Sequence, residues 1–502
     1  MIRAGRHACR PIVLAAVLLS ACHATTRPTP HPFPASPPAP PAAPALPALA
    51  RDIDAIVTQP ALDRGYWAVV VKSLKSDETL YALNARKLMM PASNMKIVTL
   101  ASAVARLGWD YTYETQILGV GAIDGGKLDG DLLVVGSGDP SLVAADGMSS
   151  RVFDEWAAQL KAVGVRTILG RVVGDDNAFD DEALGFGWSW DDLPDDYAAG
   201  VSALQYNENA ARVTIRPGGA AGDSASIDLT PEGTGLVIDN ALKTGGVDTP
   251  ASIAARRLPG SSRLELRGSI PLGATPVTRA VSVDNPTLFA VTALRDALIA
   301  RGIDVRGPAV DIDDVAHPPK RSDGVALVTY RSPPLAALAV RLMKASQNLY
   351  AETLLKTLGA SAADARAAVQ ATLQAWGIPA DALIQRDGSG LSRYDYVTAD
   401  ALVAILTHVD RDEKLRGPYE ASLPVAGRDG TLANRMKGTA AEGNARAKTG
   451  SMSNVRALSG YVTSADGEPL VFSILANNFE TTADVINRAT DAIVVRLAQF
   501  RR

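Results

Sequence analysis

The chain has 502 residues, 47% hydrophobic and 21% charged, with a formal net charge of −4. That length exceeds one simple core and implies two to three domains. The nearly balanced charge excludes the basic footprint of a nucleic-acid-binding protein.

The N-terminus reads as an export leader. Arg3, Arg6 and Arg10 precede the 11-residue run PIVLAAVLLSA, which is too short to cross a bilayer as a stable helix. Its end, Leu19-Ser20-Ala21-Cys22, resembles the lipobox of bacterial lipoproteins. The resemblance implies that residues 1–21 are removed and that Cys22 carries a lipid. His23, where an aspartate would imply inner-membrane retention, favours the outer membrane on the same resemblance. An ordinary signal peptide cut nearby is the alternative. Cys9 and Cys22 are the only cysteines, so the exported part has no disulfide, thiol nucleophile or cysteine metal site. Ten prolines between Pro28 and Pro47 favour an extended polyproline conformation. Residues 22–50 therefore read as a tether, about 20 residues of which span roughly 60 Å. A proline-rich partner-binding tract is the other reading. Folded sequence is expected to begin near Arg51, and no later run of roughly 18 apolar residues offers a membrane span.

A hairpin is predicted over Tyr66–Leu83, followed by a helix from Ser93 in which Ile97, Val98, Ala101, Val104 and Leu107 recur with helical spacing until Gly108. From about Tyr111 to Ala280 the texture is short β runs, glycine turns and acidic loops. TLFAVTALRDALIARGI restores a helix, and Ser332 to Asp410 is mainly helical. Three β runs, ARAKTGSMS, VRALSGYVTS and PLVFSILANN, precede a closing amphipathic helix over Thr482–Phe500. This order suggests an α/β domain, residues 51–112 and 281–502, interrupted by a β-rich insertion over 113–280.

Ser93 stands three residues before Lys96, so the two share one face of a helix. A serine hydroxyl needs a neighbour to take its proton, and histidine is the usual one. His7, His23 and His31 lie in the leader or tether, while His317 and His408 belong to no catalytic motif. A Ser–His–Asp enzyme is therefore disfavoured. Lysine is the other route, provided that burial and nearby positive charge lower its pKa. An isolated S-x-x-K reads as a capping serine beside a solvated lysine. Two further motifs reverse that reading: Ser346-Gln347-Asn348 at a helix start, and Lys448-Thr449-Gly450 entering a strand.

S-x-x-K, S-x-N and K-T-G in this order form the motif set of serine penicillin-binding proteins and β-lactamases. The 253-residue separation of Ser93 and Ser346 leaves room for inserted domains, and the chain resembles the low-molecular-mass class C, type 4 D-alanyl-D-alanine carboxypeptidase/endopeptidases (S13). GSGDPSL, GDDNAFD, GWSWDDLP and RDGSGLSR carry the likeness further, over about Ile53 to Ala498. The resemblance implies a mixed α/β, transpeptidase-like fold, an antiparallel sheet flanked by helices and interrupted by one or two small domains. It also implies a periplasmic serine peptidase acting on peptidoglycan stem peptides and crosslinks, and inhibited by β-lactams. Ser93 is then the acyl-ester nucleophile, Lys96 its general base and Ser346 a proton relay, while Asn348 holds the substrate amide or orients Lys96. Lys448 adds positive charge that keeps Lys96 neutral. Thr449 and Gly450 bind the terminal carboxylate region, and the backbone N–H groups of Ser93 and Ser451 form the oxyanion hole. Arg393 and Asp175 are the expected readers of a zwitterionic diamino acid, with a surface ion pair as the alternative for each. Trp188 and Trp190 either wall the pocket or pack between domains. No cofactor or metal is expected, since neither G-x-x-x-x-G-K-[ST] nor H-E-x-x-H occurs. The alternatives are a β-lactamase or esterase with the same motifs, or an inactive cell-wall-binding protein. The former needs an added base for deacylation, and the latter is at odds with the presence of Ser93, Lys96 and Lys448.

Overall fold

The strand Tyr66–Ser73 is apolar on both faces, which requires a sheet covered on both sides. Trp67, Val69 and Val71 enter one core and Ala68 and Val70 the other, the two-residue alternation of a strand. In the computed structural model, which describes residues 47–143, 151–359 and 361–502, this strand is one of five in an antiparallel sheet. The order is Arg446–Met452, Val455–Thr463, Pro469–Asn477, Tyr66–Ser73, Thr79–Leu83. Early and late sequence thus pair directly, with Val69 opposite Ile474.

Helices Pro47–Val57 and Ala483–Ala498 cover one face. On the other, helix Met95–Leu107 is surrounded by Leu335–Lys344, Asn348–Thr357, Ala362–Ala375, Ala399–Arg411 and Glu413–Ser422. Every residue from Met95 to Val104 is buried, so this central helix meets solvent only in its last turn.

The insertion leaves along strand Glu114–Asp124 and returns along Val325–Arg331, its antiparallel partner. Both belong to a mixed seven-stranded sheet whose core contains Phe153, Trp156, Phe289 and Leu294 from helices Arg151–Ala162 and Pro286–Ala300. Between them, two three-stranded sheets enclose a smaller core around Val213, Leu242 and Leu266.

Three expectations need correction. Folded structure starts before Arg51, because Leu49, Ile53 and Val57 recur every fourth residue and bury against the C-terminal helix. Pro47 opens that helix, a position where its missing N–H costs nothing. The stretch read as β-rich also contains helix Arg151–Ala162. Finally, helix Pro286–Ala300 and strand Val325–Arg331 continue the core of the insertion, so the chain does not rejoin the five-stranded unit at residue 281. The leader, Cys22 and the tether up to residue 46 lie outside the described residues. No helix among those described is long and apolar enough to cross a membrane.

Candidate active site

Ser93 lies in the single 3-10 turn Ala92–Asn94, just before helix Met95–Leu107. The short step into the helix puts Lys96 Nζ 2.9 Å from Ser93 Oγ. Ala92 holds a φ of +46°, a left-handed conformation that costs energy for a residue with a Cβ and is typical of functional turns. Asn94, which has no motif role in the sequence, anchors this turn to the sheet. Its Nδ2 donates to the Lys448 carbonyl at 2.8 Å, and Ser459 Oγ donates to its Oδ1 at 2.7 Å.

Lys96 is wholly buried. Its Nζ donates to Asn348 Oδ1 at 2.6 Å and to the Ser389 carbonyl at 2.9 Å. Burial pushes its pKa down to about 7, against the opposing pull of Asp387, Glu352 and Asp395. A neutral amine has two N–H bonds and one lone pair. With both N–H bonds given to carbonyl oxygens, which can only accept, the lone pair is left to the Ser93 hydroxyl. That is the geometry of a base and the proton it takes.

Lys448 is buried as well and donates from Nζ to Ser346 Oγ at 2.7 Å and to the Thr449 carbonyl at 2.9 Å. Burial first, and the Lys96 charge second, push it well below the usual lysine range. The two amines disfavour each other's ammonium form. Ser346 itself holds a φ of +60°, a second left-handed residue at the centre of the site.

Above the lysines is a cavity of about 310 Å³, lined by Ser93, Ser346, Asn348, Arg393, Thr449 and Ser451 among others. The three motifs therefore meet. Gly450 permits this meeting, because a Cβ there would stand 2.6 Å from the Pro91 carbonyl oxygen. Thr449 Oγ1 donates to Thr431 Oγ1 at 2.7 Å, and Arg393 reaches the Ser453 carbonyl at 3.4 Å. A larger cavity, about 620 Å³, lies in the insertion, but neither lysine nor histidine lines it and its hydroxyls Ser202 and Thr287 are bonded to Asp176.

Asp175 is not in the pocket. Its carboxylate is buried in a two-pronged pair with Arg321 at 2.6 and 2.7 Å, which holds its pKa low against the burial that would raise it. The acid that lines the same pocket as Arg393 is Asp192, which accepts from the Tyr197 hydroxyl at 2.8 Å. It belongs to GWSWDDLP, so the signature was visible although the residue was not. Tyr197 also lines the cavity, and its carbonyl accepts from Asn348 Nδ2 at 2.8 Å. Trp188 packs between units, its Nε1 donating to Asp387 Oδ2 at 2.9 Å, while Trp190 lies against Arg256; neither lines the pocket.

The model of the D-Ala-D-Ala carboxypeptidase 3 (S13) family matches residues 49–500. The chain is 37% identical over 469 residues to a D-alanyl-D-alanine carboxypeptidase of Actinomadura sp. (strain R39), covering 90% of this chain and 85% of that one. It is similar to the crystal structure of penicillin-binding protein 4 (DacB) from Haemophilus influenzae, with a TM-score of 0.79, 25% identity, and coverage of 89% and 99%. A β-lactam complex of that protein shows the same fold, with a TM-score of 0.72, 23% identity, and coverage of 89% and 100%.

Proposed function

The chain belongs to the D-Ala-D-Ala carboxypeptidase family S13, and from that premise we propose that it is a serine peptidase of peptidoglycan, with Ser93 as the acyl-forming nucleophile. The observation that carries the reading is the Lys96 amine, held by two carbonyl oxygens with its lone pair toward Ser93. Ser93 Oγ attacks the carbonyl between two D-alanines as Lys96 takes its proton. The negative charge that develops on the carbonyl oxygen is received by the backbone N–H groups of Ser93 and Ser451, both residues of the pocket wall. The C–N bond then breaks, and the proton passes from Lys96 through Ser346 to the departing amine. Water next attacks the ester, releasing the shortened peptide and returning the proton to Ser93.

A terminal carboxylate bound near Thr449 lies beside Lys448. Its arrival favours the Lys448 ammonium, which in turn favours the neutral form of Lys96. Arg393 and Asp192 present opposite charges to the same cavity, which suits the carboxylate and amine of a zwitterionic diamino acid. When the leaving amine belongs to that diamino acid in a neighbouring strand, the same chemistry cuts a crosslink, which makes the protein an endopeptidase as well. β-Lactams enter as acylating inhibitors, as the β-lactam complex of the Haemophilus influenzae relative suggests. The resemblance of Leu19–Cys22 to a lipobox, and the proline-rich tether after it, support a periplasmic enzyme anchored through Cys22, with the outer membrane favoured over the inner.

The test uses purified stem pentapeptide and a crosslinked muropeptide dimer. Free D-alanine from the first and monomers from the second are expected, both abolished by Ser93→Ala. Intact muropeptides beside rapid hydrolysis of a β-lactam or a simple ester would replace this reading with the β-lactamase or esterase alternative.

A further inference from the structure

The loop Arg386–Arg393 supplies the Ser389 carbonyl that takes one of the two N–H bonds of Lys96. That carbonyl has no side-chain freedom, so its aim depends on what grips the peptide units around it. Glu352, on helix Asn348–Thr357, is 6% exposed and accepts from the backbone N–H of Gly388 at 2.8 Å and of Ser389 at 2.7 Å, one bond to each carboxyl oxygen. From the other side, Thr99 of the central helix donates to the Gly388 carbonyl at 2.7 Å. Asp387 tightens the same loop, accepting from Gly390 N at 2.7 Å and Ser392 N at 2.6 Å.

Burying a carboxyl group is costly, and Glu352 has no ion-pair partner among the described residues. Its carboxyl group holds the Asp387–Gly388 and Gly388–Ser389 peptide units and also bonds the Ser389 side chain, so it fixes the residue whose carbonyl, in the next peptide unit, meets the base; Asp387 holds that next unit through Gly390 N–H. We propose that Glu352 is a positioning residue for acylation: by fixing the Gly388 and Ser389 peptides it aims the Ser389 carbonyl at Lys96, and so turns the Lys96 lone pair toward Ser93. This rests on the reading of Lys96 as base to Ser93. Without the grip, Ser389 rotates away, an N–H of Lys96 loses its acceptor, and the amine is free to point a hydrogen at the serine. The substrate pocket is untouched, since Glu352 does not line it.

The test is stopped-flow acylation by benzylpenicillin, which separates the dissociation constant of the initial complex from the acylation rate constant, on wild type, Glu352→Gln, Thr99→Val and the double variant. Glu352→Gln keeps the size of the side chain but one of its two acceptors is lost. The acylation constant is expected to fall on the order of tenfold to a hundredfold while the dissociation constant stays within about twofold. Thr99→Val is expected to show a smaller fall of the same kind. The double variant is expected to be non-additive, because both residues hold one peptide unit. An unchanged acylation constant, or a parallel loss of binding and acylation with additive effects, would overturn the proposal. If Glu352→Gln does not fold, Thr99→Val decides alone by the same split. A wild-type protein that forms no acyl adduct overturns the underlying reading, and this proposal with it.

Discussion

At the scale of single residues, the site depends on which atom of Lys96 faces Ser93. As an ammonium it donates to the serine oxygen and cannot take its proton, whereas as a free amine it can. With burial holding the Lys96 pKa at about 7, the base form is gained as pH rises through that value. Acylation by a β-lactam is therefore expected to climb with an apparent pKa near 7, read from rates across the neutral range. Lys96→Met should lower the rate by about 10²- to 10⁴-fold and flatten that limb. A limb that persists unchanged in Lys96→Met would mean that the amine is not the base. Ser93, Lys96, Ser346, Asn348 and Lys448 were legible in the sequence because each sits in a short contiguous motif. Asp192 was not, because Asp191, Asp192, Asp195 and Asp196 crowd one acidic stretch and nothing local marks which of them enters the pocket. Asp175 failed for the opposite reason: its partner, Arg321, is distant in sequence.

At the scale of elements, the site depends on how closely strand Arg446–Met452 approaches the turn Ala92–Asn94. Gly450→Ala places a methyl group 2.6 Å from the Pro91 oxygen and 2.9 Å from the Ala457 Cβ, so strand or turn must move. A loss of about 1–3 kcal/mol is expected in denaturant melts. A drop in acylation should accompany it, because Ser93 and Ser451 no longer share one set of positions. Unaltered acylation would show that the strand does not set the oxyanion donors. The sequence could mark this glycine as part of a motif, but not its reason, which is a carbonyl more than 350 residues earlier in the chain. The loop Arg386–Arg393 was harder to read still. It acts through backbone N–H and carbonyl groups, and those are the same for every residue type.

At the scale of the whole molecule, the five-stranded sheet joins sequence from both ends, and the first helix seals it. Leu49 is wholly buried against the C-terminal helix, so Leu49→Ala is expected to cost about 2–5 kcal/mol. Urea unfolding measures this, and a loss under about 0.5 kcal/mol would show that the segment before Arg51 is dispensable. The hairpins and helices of the five-stranded unit followed from their periodicity. The far boundary of the insertion did not, because the apolar spacing of helix Pro286–Ala300 is the same whichever core receives it. Units so interleaved still converge on one cavity, since Tyr197 of the insertion lines it and holds Asn348. The most direct trial of the central claim is intact-mass spectrometry of the protein after exposure to benzylpenicillin, beside Ser93→Ala. One penicilloyl adduct per chain, absent from the variant, is the expected result; an adduct that survives Ser93→Ala, or none on either protein, would contradict Ser93 as the nucleophile.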